Sequence, residues 1–124
     1  MDNIIIYVSS RNNYDMLSGE VLKNINTEGF EFINVDDKSS PEEIEKGREI
    51  CKENDIVFLE NESRGVQFAT ETLVKFIKAS RPECKWIFCF QHDCYPITEN
   101  FFTRISKLID DGNIIYIERL NKKK

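Results

Sequence analysis

Ile4-Ile5-Ile6-Tyr7-Val8 is the stretch whose reading decides the fold. It is a continuous β-branched run with no polar alternation, the pattern of a strand covered on both faces and hence central in a parallel sheet. Working outward, Leu17, Val21 and Ile25 recur every four residues behind Asn13, an available N-cap. Gly29 stands where a helix would stop in the left-handed conformation, so the spacing predicts one amphipathic helix over roughly 14–26. Phe30-Glu31-Phe32-Ile33-Asn34-Val35 reads as a shorter second strand. Ser40-Pro41-Glu42-Glu43 then combines a hydroxyl N-cap, proline at the first helical position and a glutamate able to close a capping box, so the second helix starts there.

The rest repeats the alternation. Asp55 to Leu59 forms a third strand, and Val66, Ala69, Leu73, Phe76 and Ile77 form the stripe of a third helix that Pro82 ends. Trp86-Ile87-Phe88-Cys89-Phe90 is a fourth strand; Thr98 precedes a fourth helical stripe of Phe101, Phe102, Ile105, Leu108 and Ile109, closed by Gly112. Ile114-Ile115-Tyr116-Ile117 supplies a fifth strand. Strands alternating with helices through short connections imply βαβ crossovers onto one sheet, an α/β three-layer, flavodoxin-like open sheet of five mainly parallel strands in the expected order 2-1-3-4-5. No repeat, linker or low-complexity tract interrupts it, so residues 1–120 are expected to form one domain and 121–124 a basic solvated tail.

Composition limits the partners. Seventeen Lys plus Arg against twenty-two Asp plus Glu give a net charge of −5, which repels phosphate polymers and makes nucleic acid a poor partner. No apolar run approaches the ~18 residues of a membrane span. The N-terminus lacks the charged and apolar regions of an export signal. A cytoplasmic protein without a membrane partner is expected, with Cys51, Cys84, Cys89 and Cys94 as thiols.

In open α/β sheets the site lies outside the carboxyl ends of the strands, at the switch point, expected here between the first and third. The residues at that edge are Ser9-Ser10-Arg11-Asn12-Asn13, Asp36-Asp37, Glu60-Asn61-Glu62-Ser63-Arg64 and Gln91-His92-Asp93-Cys94-Tyr95. No glycine-rich phosphate loop follows the first strand, which argues against a dinucleotide fingerprint and a flavin phosphate loop. Ser9, Ser10 and Arg11 beside a helix N-terminus remain able to hold a ribose or phosphate. A receiver domain would need clustered carboxylates where Ser9-Ser10 and Glu60 stand. Cys89, His92 and Cys94 are close in sequence, but Cys89 is expected to point into the core while the other two sit in a loop, so no zinc site is expected.

Ile5-Tyr7-Val8-Ser9-Ser10, Asp15 at the start of the first helix, Asp55-Ile56-Val57-Phe58-Leu59, then Ser63 and Gln67-Phe68-Ala69-Thr70-Glu71, together resemble the Toll/interleukin-1 receptor (TIR) domain pattern. In that family a first strand ends in a serine-containing loop and a Trp-Cys-x-x-Glu segment opens the helix after the third strand; Gln67-Phe68-x-x-Glu71 occupies that slot. Nucleoside 2-deoxyribosyltransferase-like proteins are similar too. The resemblance implies a domain that binds a nucleotide such as NAD, as substrate rather than cofactor, and that in enzymatic members breaks an N-glycosidic bond. Glu71 would then be the catalytic carboxylate stabilising an oxocarbenium-like transition state. Ser9, Ser10, Arg11, Asp36, Asp37 and Ser63 would line the nucleotide, with Glu60 and Glu62 as substitute acids. The resemblance also implies signalling in bacterial or phage immunity, through self-association or another TIR-like domain. A helical wheel sets Glu71 opposite the Val66, Ala69, Leu73 and Phe76 stripe. The sequence leaves open a catalytically silent module that binds a nucleotide signal or a protein partner, and a receiver-like signalling domain.

Overall fold

The structure is a computed structural model and describes residues 4–92, 95–97 and 99–110. β1 (Ile4–Ser10) leads into α1 (Tyr14–Met16), a π-helical turn (Leu17–Val21) and α2 (Leu22–Asn24), which run on as one helix. β2 (Glu31–Asp36), α3 (Pro41–Glu53), β3 (Val57–Glu60), α4 (Val66–Ser80), β4 (Trp86–Phe90) and α5 (Phe101–Asp110) follow. The starts come from local chemistry. Ser40 caps α3 by accepting the Glu43 N–H at 3.4 Å, with Pro41 at the first helical position; such caps contribute about 1 kcal/mol. Asn13 stands at the N-cap of α1, but its side chain accepts the Arg11 N–H at 3.0 Å, binding the preceding loop rather than the helix.

All pairings in the four-stranded sheet are parallel, as the unbroken apolar run at β1 predicts. Ile4 to Val8 are each at most 4% exposed, because β1 has strands on both edges and helices on both faces. Its even-numbered side chains, with Phe32 and Phe90, pack beneath Tyr14, Leu17, Val21, Cys51 and Phe102. Ile5 and Tyr7, with Ile33 and Val35, pack against Ala69, Leu73 and Ile77 of α4. The layers are therefore α1, α3 and α5, then the sheet, then α4.

Among the described residues the strand order is 3-2-1-4, which corrects the placement of the third strand in the expected 2-1-3-4-5. β3 pairs with the outer edge of β2, in register from Ile33↔Val57 to Asp36↔Glu60, and the neighbours of β1 are β2 and β4. Strand periodicity cannot separate the two orders, since both satisfy right-handed crossovers. The deciding feature is which face receives α3. Gly47 and Cys51 turn it onto the face already carrying Tyr14, so the chain continues outward past β2. α4 then crosses the other face and delivers β4 beside β1. The switch point moves with the order and lies between β1 and β4. Ile114–Ile117, Gly112, Thr98 and the 121–124 tail lie outside the described residues.

Two side chains also differ from expectation. Cys89 is exposed rather than in the core, since α4 packs over β2 and β3 and leaves the β4 part of that face open among the described residues. Val66, in the first turn of α4, is 71% exposed. No helix among the described residues is long and apolar enough to cross a membrane.

Candidate functional site

The hydrogen-bond ladder runs one step past the strands at their carboxyl ends. The Asp37 N–H donates to the Ser10 carbonyl at 2.8 Å and the Asn61 N–H to the Asp36 carbonyl at 2.9 Å. Because side chains alternate along a strand, Ser10, Asn34 and Asp36 fall on the α1–α3 face, while Asp37 turns toward α4. Two polar networks result, back to back.

The first is buried. Ser10 Oγ lies 2.5 Å from Asn34 Oδ1 and 2.9 Å from His92 Nε2, Asn34 Nδ2 donates to Tyr14 Oη at 3.1 Å, and Tyr14 Oη donates to Asp36 Oδ1 at 2.7 Å. The other Asp36 oxygen accepts the Ser39 N–H at 2.9 Å. Ser10, Asn34 and Asp36 are no more than 1% exposed and His92 5%. Groups this buried are costly unless paired, at about 1–3 kcal/mol for each orphan, so the chain fixes the loops that contribute to it. Burial, followed by the bond to Asp36, pushes the Tyr14 hydroxyl well above the usual tyrosine range, so Tyr14 stays a proton donor.

The second network caps α4. Asp37 Oδ1 accepts from Asn61 Nδ2 at 2.9 Å and from the Gly65 N–H at 2.8 Å, and the Thr72 hydroxyl donates to Asn61 Oδ1 at 2.8 Å. Gly65 adopts φ 139, a conformation favouring glycine. Above both networks the loops after β1 and β2 are laced together. The Asn12 N–H donates to Ser39 Oγ at 2.9 Å and the Ser40 N–H to Asn12 Oδ1 at 2.8 Å, with Asn12 and Lys38 both left-handed.

The expected site residues divide accordingly. Ser10 and Asp36 are joined through Asn34 and Tyr14, and Asp37 is the neighbour of Asp36 on the opposite face. Ser9 is half-buried beside Tyr7, and Arg11 is exposed at the rim. Glu60 sits on the far edge, ion-paired with Arg48; Glu62 and Ser63 are exposed in the following loop. Glu71 is exposed on α4, on the side away from Ala69 and Leu73, as its helical wheel predicts, and is not part of either network. Sequence reasoning missed Tyr14, Asn34 and Gly47, and placed Asn61 at the strand edge without a role. Asn34 carried a signal, being a lone amide inside an apolar strand, and so did Gly47, a glycine inside a helix.

Among the described residues no group of three His, Cys, Asp or Glu side chains could hold a metal ion. Cys51 is fully buried and its thiol is pushed up to about 12 by that burial, which makes it inert as a nucleophile. An open hollow of about 380 Å³ lies away from the crevice between α3 and β3, floored by Ile56 and Phe58 and rimmed by Glu45, Arg48, Glu49 and Lys52. Its Arg48 is engaged by Glu60 and stacked 5.6 Å from the Phe58 ring. No protein-family model matches this chain, and no match was found among curated proteins or solved structures.

Proposed function

We propose that the domain binds a nucleotide at the carboxyl ends of β1, β2 and β4 and acts at its glycosidic bond, with NAD as the first substrate to test. The observation that supports this reading is the sheet order 3-2-1-4. Its 3-2-1 part is the order of a mononucleotide-binding half of a doubly wound sheet, with β4 where the second half would begin, and in such sheets ligands lie where the connections reverse. Here that reversal falls between β1 and β4, with Ser10 and His92 facing each other across it, Asp36 ending β2 and Asp37 following it. Asp37 Oδ2 makes no hydrogen bond among the described residues, which leaves an acceptor for a ribose hydroxyl or a base N–H. Arg11, exposed at the rim, suits a phosphate.

A second reading is a catalytically silent domain that binds the nucleotide as a signal. The exposure of Glu71, away from both networks, favours it. Calorimetric titration with NAD, ADP-ribose and free nucleosides, with base release assayed in parallel, separates the two. Arg11→Ala is expected to weaken NAD and ADP-ribose by on the order of 10- to 100-fold, the worth of a charge-assisted hydrogen bond, and to leave free nucleosides unchanged. Base release that Glu71→Ala abolishes would mark the glutamate as the catalytic acid. Saturable binding without release would select the silent domain, and no binding by any of these ligands would contradict both.

A further inference from the structure

The proton directions in the buried chain are forced. Tyr14 Oη donates its single proton to Asp36 Oδ1 at 2.7 Å. Tyr14 must then accept from Asn34 Nδ2 at 3.1 Å, which turns the amide so that Oδ1 faces Ser10. Ser10 Oγ, 2.5 Å from that oxygen, must donate to it. Having spent its proton, Ser10 can only accept from His92 Nε2 at 2.9 Å. Ser10, Asn34, Tyr14 and Asp36 are all buried, so their polar atoms turn to one another.

We propose that His92 is a positioning residue of the crevice, its tautomer fixed as Nε2–H by the Asp36 carboxylate four hydrogen bonds away, so that the loop leaving β4 is held to the ends of β1 and β2 in one orientation. The chain crosses the switch point itself, and it links His92, after β4, to Asp36 at the end of β2. Its effect on ligand affinity rests on the nucleotide reading above; the tautomer does not. A chain of this kind acts as a unit, because each donor is oriented by the next acceptor and polarised by it. Which ring nitrogen of a histidine carries the proton is set by the hydrogen bonds the ring itself makes, and here Nε2 meets a Ser10 oxygen whose own proton is spent on Asn34.

His92 is the chain's only histidine, so a nitrogen-15 imidazole spectrum of the ligand-free protein, taken where the ring is neutral, reports it alone. Wild type is expected to show one set of signals with Nε2 protonated and Nδ1 not. Tyr14→Phe keeps the ring and removes the hydroxyl three links from the imidazole, freeing the amide to reverse and Ser10 to turn its proton. The nitrogen shifts are then expected to draw together as Nδ1–H becomes populated, as in Ser10→Ala. Asn34→Leu cuts the next link and serves if Tyr14→Phe does not give a native amide spectrum. An Nδ1–H tautomer in wild type would overturn the proposal. So would wild-type imidazole signals in a folded Tyr14→Phe or Asn34→Leu variant while Ser10→Ala changes them. ADP-ribose is expected to bind folded Tyr14→Phe about 3- to 10-fold more weakly, the worth of one net hydrogen bond. Unchanged affinity alongside a released tautomer would overturn the positioning role. Absence of all nucleotide binding by wild type would overturn it together with the crevice, whatever the spectra show.

Discussion

Phe102→Ala is expected to destabilise the fold by about 3–5 kcal/mol, the usual cost of emptying a buried aromatic site. Phe102 is 1% exposed in α5 and meets Phe30, Phe88 and Phe101 edge-on with ring centroids at 6.2, 5.3 and 5.4 Å. Its backbone N–H also donates to Glu28 Oε2 at 2.8 Å, in the turn that leads into β2. These contacts tie α5 to β4 and to the turn that leads into β2, and domains of this size have only about 5–15 kcal/mol in hand. Urea denaturation of the variant checks the value. A loss under 1 kcal/mol would mean that α5 is not part of the cooperative core. Phe102→Leu, which refills most of the space, is expected to recover much of the loss.

Gly47→Ala tests the site from behind. In an exposed helix this change stabilises by about 1 kcal/mol. Here a methyl would lie 2.5 Å from Cε1 and 2.7 Å from Cε2 of Tyr14. The ring has little room to yield, since its hydroxyl is held by Asp36 and Asn34 and its face lies tilted against Phe58 at 6.1 Å. Overpacking costs about 1–3 kcal/mol, and displacing Tyr14 strips buried partners worth a similar amount. The sign therefore reverses, to a net destabilisation of about 2 kcal/mol or more, with ligand affinity falling alongside. Chemical denaturation decides the sign; a stabilised variant would show that Tyr14 can move without harm.

How much of this was legible in the sequence depends on whether the signal was local. Ile4 to Val8 announces a central parallel strand because burial on both faces removes alternation, and Ser40-Pro41 announces α3 because capping chemistry lies within four residues. The strand order was not legible, because it depends on which face α3 takes, and that rests on the meeting of Gly47 with Tyr14, far apart in sequence. The same holds for the site. Ser10 and Asp36 are strand-end residues that position alone suggests, whereas their connection runs through Tyr14 and Asn34, which read as a helix opener and a strand interior. Glu71 was suggested by resemblance and discounted by its own helical wheel, and its exposure on α4 agrees with the wheel.

A nucleotide is proposed to occupy the edge where β1 meets β4. The most direct measurement is an amide nitrogen-15 titration of the intact chain with NAD. Saturable shifts are expected at residues 9–14, 36–40 and 90–92, where the three strands end and the loops are laced together. Shifts gathered instead at Arg48, Lys52 and Phe58, around the hollow between α3 and β3, or no shifts at millimolar ligand, would contradict it.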